Sequence, residues 1–282
     1  MNTAVSATAP PAAPAAANGS LALATMTLWR REMVRFFRQR NRVIGAFATP
    51  VVFWLLLGSG LNRAFAVPVA GEAAESIGYL AYFFPGALVL ILLFTAIFST
   101  ISVIEDRNAG FLQGVLVSPA PRLAIVLGKV FGGASIATLQ GILFLLVWPI
   151  VGGWPGLGAM LLAVVVMFVL AVGLTALGLC IAWPLDSTAG FHAIMNLFLM
   201  PMWFLSGAVF PVVTAPLWLQ VVMYANPLTY GLSVMAAVLQ GVESPAIAPL
   251  PMGVNVAVML VSCAALVGLA TWIVGRTKRN GV

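Results

Sequence analysis

Six apolar runs, none containing aspartate or glutamate, restrict this chain to a membrane fold. They cover about residues 43–61, 81–103, 127–151, 159–183, 189–210 and 251–275. A helix needs roughly 20 apolar residues to cross the hydrocarbon core of a bilayer, and each run approaches or exceeds that length. Composition supports the same conclusion. Charged residues make up 7% of the 282, whereas a soluble domain carries about 25%. A surface facing water needs charge, and one facing lipid does not. The predicted fold is all-α: a polytopic membrane protein with six transmembrane helices.

Charge predicts how the runs are threaded. The chain has 13 lysines and arginines against seven acids. The basic residues cluster at the ends of the apolar runs, a pattern that sets membrane orientation. They form no basic stripe with interleaved aromatics, so nucleic acid is excluded as a partner. With both termini in the cytoplasm, six spans place Arg30, Arg31, Arg35, Arg38, Arg40, Arg42, Arg107, Arg122, Lys129, Arg276, Lys278 and Arg279 inside, and only Arg63 outside. A seventh span over 211–240 would move Arg276, Lys278 and Arg279 outside. That stretch, broken by Pro211, Pro216, Asn226 and Pro227, is therefore expected to dip into the outer leaflet and return. Irregular backbone at that depth must be buried in protein or line a cavity.

The flanking segments read as follows. Residues 1–20 are Ala, Pro and small polar residues without the apolar run of a signal peptide, and are expected to form a disordered cytoplasmic tail. Over 21–42, Met26, Trp29, Met33 and Phe36 or Phe37 recur at helical spacing, with Arg31, Arg35, Arg38 and Arg42 opposite. This predicts a basic amphipathic helix in the membrane interface, either a plain anchor or one that also touches a partner. Glu72 and Glu75 fall in the first outer loop, and Lys129 at the start of the third run is expected to snorkel to the headgroups. Gly128 and Gly132 form a G-x-x-x-G that permits close helix approach. Pro184 stops the fourth run, and Asp186, Ser187 or Thr188 can cap the fifth.

Several chemistries are excluded. No G-x-x-x-x-G-K-[ST] occurs: Gly128-Lys129 is followed by Val130, and Leu123 stands where the first glycine belongs. No nucleotide site, and hence no bound ATP or Mg, is expected in this chain. The single histidine, His192, has no carboxylate placed to pair with it, and no H-E-x-x-H or G-x-S-x-G is present. Cys180 and Cys263 lie in apolar runs without ligand spacing, which rules out a zinc or redox motif. An ion-coupled secondary carrier would need an ionisable site within the spans, where the sequence offers His192. A membrane-embedded enzyme would need a catalytic constellation.

Two stretches carry more information. From Ile104 to Arg122 the chain reads I-E-D-R-N-A-G-F-L-Q-G-V-L-V-S-P-A-P-R: a charged cluster at Glu105, Asp106 and Arg107, then an apolar ridge of Phe111, Leu112, Val115 and Leu116. Such a cytoplasmic helix suits a groove on another protein. From Phe204 to Tyr230 it reads F-L-S-G-A-V-F-P, then P-L-W-L, then N-P-L-T-Y. Proline breaks the fifth run after Phe210, and Asn226-Pro227 opens a new helical turn.

Together, over about residues 25–275, these stretches resemble the ABC type-2 permeases, the membrane subunits of ATP-binding-cassette exporters. In the first stretch Asp106, Arg107, Gly110, Leu112, Leu116, Val117, Pro119 and Arg122 carry the likeness; in the second, Ser206-Gly207, Phe210-Pro211, Pro216, Trp218-Leu219 and Asn226 to Tyr230. The resemblance implies an exporter half in a bacterial inner membrane. Two copies, or one copy with a paralogue, would pair with two separate ATPase subunits that bind ATP and Mg. The 104–122 segment would be the coupling helix, with Glu105, Asp106, Arg107, Phe111, Leu112, Leu116 and Arg122 at the docking site. The helix bearing Arg31, Arg35, Arg38 and Arg42 would brace it among membrane lipids. Phe210, Pro211, Trp218, Asn226, Pro227 and Tyr230 would form an outer gate. The implied cargo is amphipathic, lipid-like, drug-like or a saccharide.

Overall fold

Backbone groups in a bilayer must find their hydrogen-bond partners without water, which leaves helices as the economical way to cross it. A computed structural model describes residues 20–38, 40–61, 66–67, 77–118, 120–241 and 250–276, and nearly all of them are helical. The helices are α1 (Leu21–Arg38), α2 (Arg40–Leu61), α3 (Tyr79–Ser99), α4 (Ile101–Asn108), α5 (Phe111–Val117) and α6 (Arg122–Leu145). They continue with α7 (Trp148–Val151), α8 (Leu157–Ala182), α9 (Thr188–Trp203), α10 (Leu217–Ala225), α11 (Pro227–Gln240) and α12 (Met252–Arg276). The extended pairing among the described residues is a two-residue antiparallel ladder, Ala66–Val67 with Ile77–Gly78.

Five stretches are long and apolar enough to cross a membrane: Tyr79–Asn108, Arg122–Val151, Leu157–Ala182, Thr188–Ala208 and Met252–Arg276. The sixth element is shorter, with an apolar helix over Phe47–Leu61 inside α2. α10 and α11 meet at Asn226 with a bend of 85°, so 211–240 is interrupted, as its prolines predict, rather than a straight helix. The Arg63, Glu72 and Glu75 loop, the 1–19 tail, the side chains of Arg40 and Arg42, and Lys278 with Arg279 lie outside the described residues.

Helix α3 is the centre of the bundle. Phe83, Phe84 and Leu88 to Leu93 are fully buried on it. Aromatic contacts tie it outward: Phe84 stacks on Phe144 of α6 at 4.5 Å, and Trp54 of α2 meets both rings edge-on. A second, smaller core lies at the end of the bundle that carries α1. There Leu28, Val103, Leu112, Ile125, Val126, Trp183 and Val274 bring α1, α4, α5, α6, the end of α8 and α12 together. Apolar side chains on the outer faces, such as Leu161, Val165 and Val261, stay exposed, as a lipid-facing surface requires.

Candidate functional site

The smaller core encloses a cluster of charge. Lys129 of α6 is buried, its side chain 3% exposed, and its ammonium donates to Glu32 Oε1 at 2.6 Å, Asp106 Oδ2 at 2.6 Å and Ser102 Oγ at 3.0 Å. Lys129 therefore does not snorkel to the headgroups. The structure corrects that expectation because two carboxylates from α1 and α4 come within hydrogen-bond reach and solvate the charge in place of water. Arg31 grips Asp106 with both nitrogens, at 2.7 and 2.6 Å, and Arg35 bridges Asp106 and Glu105 at 2.7 Å each. Asp106 thus accepts four charge-assisted hydrogen bonds, the full lone-pair capacity of a carboxylate. The hydrogen bonds to Asp106 outweigh desolvation and raise the Arg31 pKa above its ordinary value.

Arg31 and Arg35 of α1 therefore turn toward α4. The protein-facing side of α1 is Leu28, Glu32 and Phe36, and Met26 points outward. Two glycines allow the approach. A Cβ on Gly128 would lie 2.6 Å from Leu28 Cβ, and one on Gly132 would lie 2.8 Å from Glu32 Cβ, so the G-x-x-x-G of α6 is the seat of α1. Trp29 Nε1 donates to Ser135 Oγ at 3.1 Å and closes the contact.

The same network reaches α5. The Arg31 guanidinium lies 3.6 Å from the centre of the Phe111 ring, within cation–π range. Leu112 is buried in the smaller core, and Val115 and Leu116 pack beside it, so the apolar ridge of this short helix faces its own bundle. Phe111, Gln113, Gly114 and Val117 remain outward, Val117 at 86% exposure. Arg107 donates to the carbonyls of Trp183 and Leu185 and pairs with Asp186 at 2.9 Å. The cap of α9 is Ser187, whose hydroxyl accepts from Gly190 N; Asp186 is taken up by Arg107 instead. Arg122 donates to the Val274 carbonyl at 3.0 Å and anchors the end of α12.

A second site lies at the bent segment. Gly207, at φ 90, makes the turn that ends the fifth span, a conformation open to glycine. Two tyrosines of α3 hold the carbonyls freed by this turn: Tyr82 donates to Gly207 O and Tyr79 to Val209 O, both at 2.9 Å. Asn226 caps α11 by accepting from Leu228 N, and its amide donates to Met202 O at 2.6 Å. Tyr230 donates to Tyr224 O across the bend. Phe210 and Pro211 are half-buried, and Trp218 is 69% exposed on α10. Asn226, Pro227 and Tyr230 therefore sit together at the bend, and Trp218 stands apart from them.

A sequence profile described as ABC-2 type transporter matches residues 24–239, a stretch that contains both sites. The chain belongs to the ABC-2 type transporter family. Its relatives include a putative transport permease, ycf38, of Cyanophora paradoxa, 27% identical over 206 residues, covering 72% of this chain and 69% of the relative. Nodulation protein J of Rhizobium leguminosarum bv. viciae is 26% identical over 219 residues, 77% of this chain and 82% of its own. The daunorubicin resistance ABC transporter permease DrrB1 of Streptomyces coeruleorubidus is 26% identical over 224 residues, 77% of this chain and 75% of its own. Among these permeases the chain is a multi-pass membrane subunit, and the family match takes in α1 along with the spans.

The structure joins Arg31, Arg35, Glu105 and Asp106, which sequence reading had divided between an interface helix and a docking helix. It adds Glu32, which that reading missed. The available signal was that Glu32 is the one acid in a helix otherwise rich in arginine.

Proposed function

We propose that this chain is the membrane subunit of an ATP-driven exporter. Two copies, or one with a paralogue, pair with two separate ATPase subunits that bind ATP and Mg, and α5 is the element on which an ATPase docks. The carrying observation is the division of α5 into two faces. Its inner face is packed through Leu112 into the bundle, Phe111 at its edge contacts Arg31 of the charge network, and Gln113, Gly114 and Val117 face outward. A push on the outer face is thereby passed to α1, α4 and α6 together, because buried ion pairs and packed side chains resist independent movement.

In this reading the α1 end of the bundle faces the cytoplasm of a bacterium, the protein lies in the inner membrane, and both termini are cytoplasmic. The charge distribution along the sequence supports that orientation. The folded-back α10–α11 pair lies at the outer leaflet and forms the gate. The cargo is amphipathic: lipid-like, drug-like or a saccharide. A relative named for daunorubicin resistance supports export of such a cargo.

Val117→Asp tests the docking role with little effect on the fold, since the side chain is 86% exposed. The expected result is loss of ATPase co-purification and of transport, with the bundle's thermal stability unchanged. Unchanged co-purification and transport would remove α5 from the docking site. Transport that survives an ATPase-dead partner and collapses with an uncoupler would instead favour an ion-coupled carrier.

A further inference from the structure

The outward face of α1 plays no part in the contacts described above. At 3.6 residues per turn, the face opposite Leu28, Glu32 and Phe36 carries Leu23, Met26, Arg30, Val34, Phe37 and Arg38. The four apolar members are between 51% and 69% exposed. Thr27, Arg30, Arg31, Val34, Arg35 and Arg38 line an open groove of about 610 Å³ along this helix, and Leu23, Met26 and Phe37 lie on the same outward side without lining it.

Charge in this groove is unbalanced. Arg31, Arg35 and Lys129 are satisfied by Glu32, Glu105 and Asp106. Arg30 and Arg38 have no carboxylate partner among the described residues, so five cations stand against three anions and both surplus charges lie on the open side. The sequence that follows α1 adds Arg40 and Arg42 and no acid.

The apolar neighbours indicate which anion fits. Water does not favour a helix face with Leu23, Met26, Val34 and Phe37 exposed side by side, whereas the boundary between headgroups and acyl chains does. Chain geometry places α1 at that boundary, because α1 ends at Arg38 and the next helix becomes a continuous apolar segment from Phe47. At the C-terminal end of α12, Arg276 stacks 3.8 Å above the Trp272 ring, and Arg122 near the same core reaches the Val274 carbonyl, so α12 places an aromatic–cation pair close to this level.

We propose that this groove binds the phosphate of an anionic phospholipid, with Arg30 and Arg38 as its ligands and Val34 and Phe37 against the start of the acyl chains. The proposal rests on the reading of α1 as an interface helix, and it specifies the lipid that the helix selects. The shared chemistry is a phosphate monoanion, which a free phosphate could also supply, so the test separates the two sources.

The full-length permease, purified without any ATPase and stripped of lipid, is titrated with phosphatidylglycerol, phosphatidylcholine or inorganic phosphate and followed by native mass spectrometry. Phosphatidylglycerol should bind and phosphatidylcholine should not compete. Arg30→Gln with Arg38→Gln should weaken phosphatidylglycerol binding roughly thirtyfold, two basic side chains near an anionic headgroup each contributing about a factor of five. Arg30→Lys with Arg38→Lys should keep most of the binding, which separates charge loss from misfolding. Equal binding of the two lipids, or of phosphatidylglycerol by wild type and the Gln pair, overturns the proposal. So does inorganic phosphate displacing the lipid at comparable concentration, which would make this a free-anion site. Unchanged lipid binding with lost ATPase co-purification in the Gln pair would assign the groove to a protein partner instead. The lipid titrations contain no ATPase, so their outcome is separate from that of Val117→Asp.

Discussion

At the residue scale, the most consequential side chain is Lys129. Removing one partner of a buried ion pair costs about 3–5 kcal/mol, because the other charge is left without compensation. The two carboxylates around Lys129 differ in this respect. Asp106 keeps Arg31 and Arg35, whereas Glu32 keeps only Arg31 at 3.7 Å. Lys129→Met is therefore expected to lower stability by about 3 kcal/mol, and adding Glu32→Gln should recover part of that loss. Unfolding of the two variants in mixed micelles measures the difference. A double variant no more stable than Lys129→Met would show that Glu32 is not the orphaned charge. The residue-level reading of the sequence placed Asp106 and Arg31 among functional positions but assigned them to different partners. A one-dimensional reading could not show that α1 turns Arg31 and Arg35 toward α4 rather than toward water.

At the element scale, the fit between α1 and α6 depends on two missing side chains. Gly132→Val would place new atoms inside the 2.8 Å approach to Glu32 Cβ, and overpacking of this kind costs about 1–3 kcal/mol. The expected outcome is a shifted α1, loss of the Trp29–Ser135 hydrogen bond and faster tryptic cleavage after Arg30 and Arg38. Unaltered cleavage kinetics would mean that the helix tolerates the added volume. The hydrophobic runs gave the positions of α3, α6, α8, α9 and α12 closely, since length and hydropathy alone define a span. Packing direction was less legible. Leu112, Val115 and Leu116 have the spacing of a docking ridge, yet the same spacing serves equally to seat α5 on its own bundle. Only the position of Val103, Ile125 and Val126 beside them decides between the two uses.

At the scale of the whole molecule, the proposed six-span topology puts the α10–α11 bend on the outer face of the membrane, and chemical labelling tests it. Thr214 is exposed in the loop that leads into it. In a variant with Cys180 and Cys263 replaced by Ala, Thr214→Cys should react with an impermeant thiol reagent added to intact cells. Labelling from the cytoplasm alone would overturn the six-span topology and the gate assignment with it. Exposed apolar side chains over α9 and α10, including Phe198, Trp218 and Val221, leave this flank suited to lipid or to a second copy.

Composition and periodicity by themselves determined that this chain spans a membrane, where its spans lie and that 211–240 is interrupted. Those properties follow from transfer free energy and backbone hydrogen bonding, which act locally along the chain. Tertiary structure decided the fate of the charges. Glu32, Asp106 and Lys129 are separated by 74 and 23 residues in sequence and meet within 2.6 Å of one ammonium. Whether a lysine at the start of a span reaches for headgroups or stays buried depends on which carboxylates another helix brings to it, and that is a property of packing rather than of the helix that carries it.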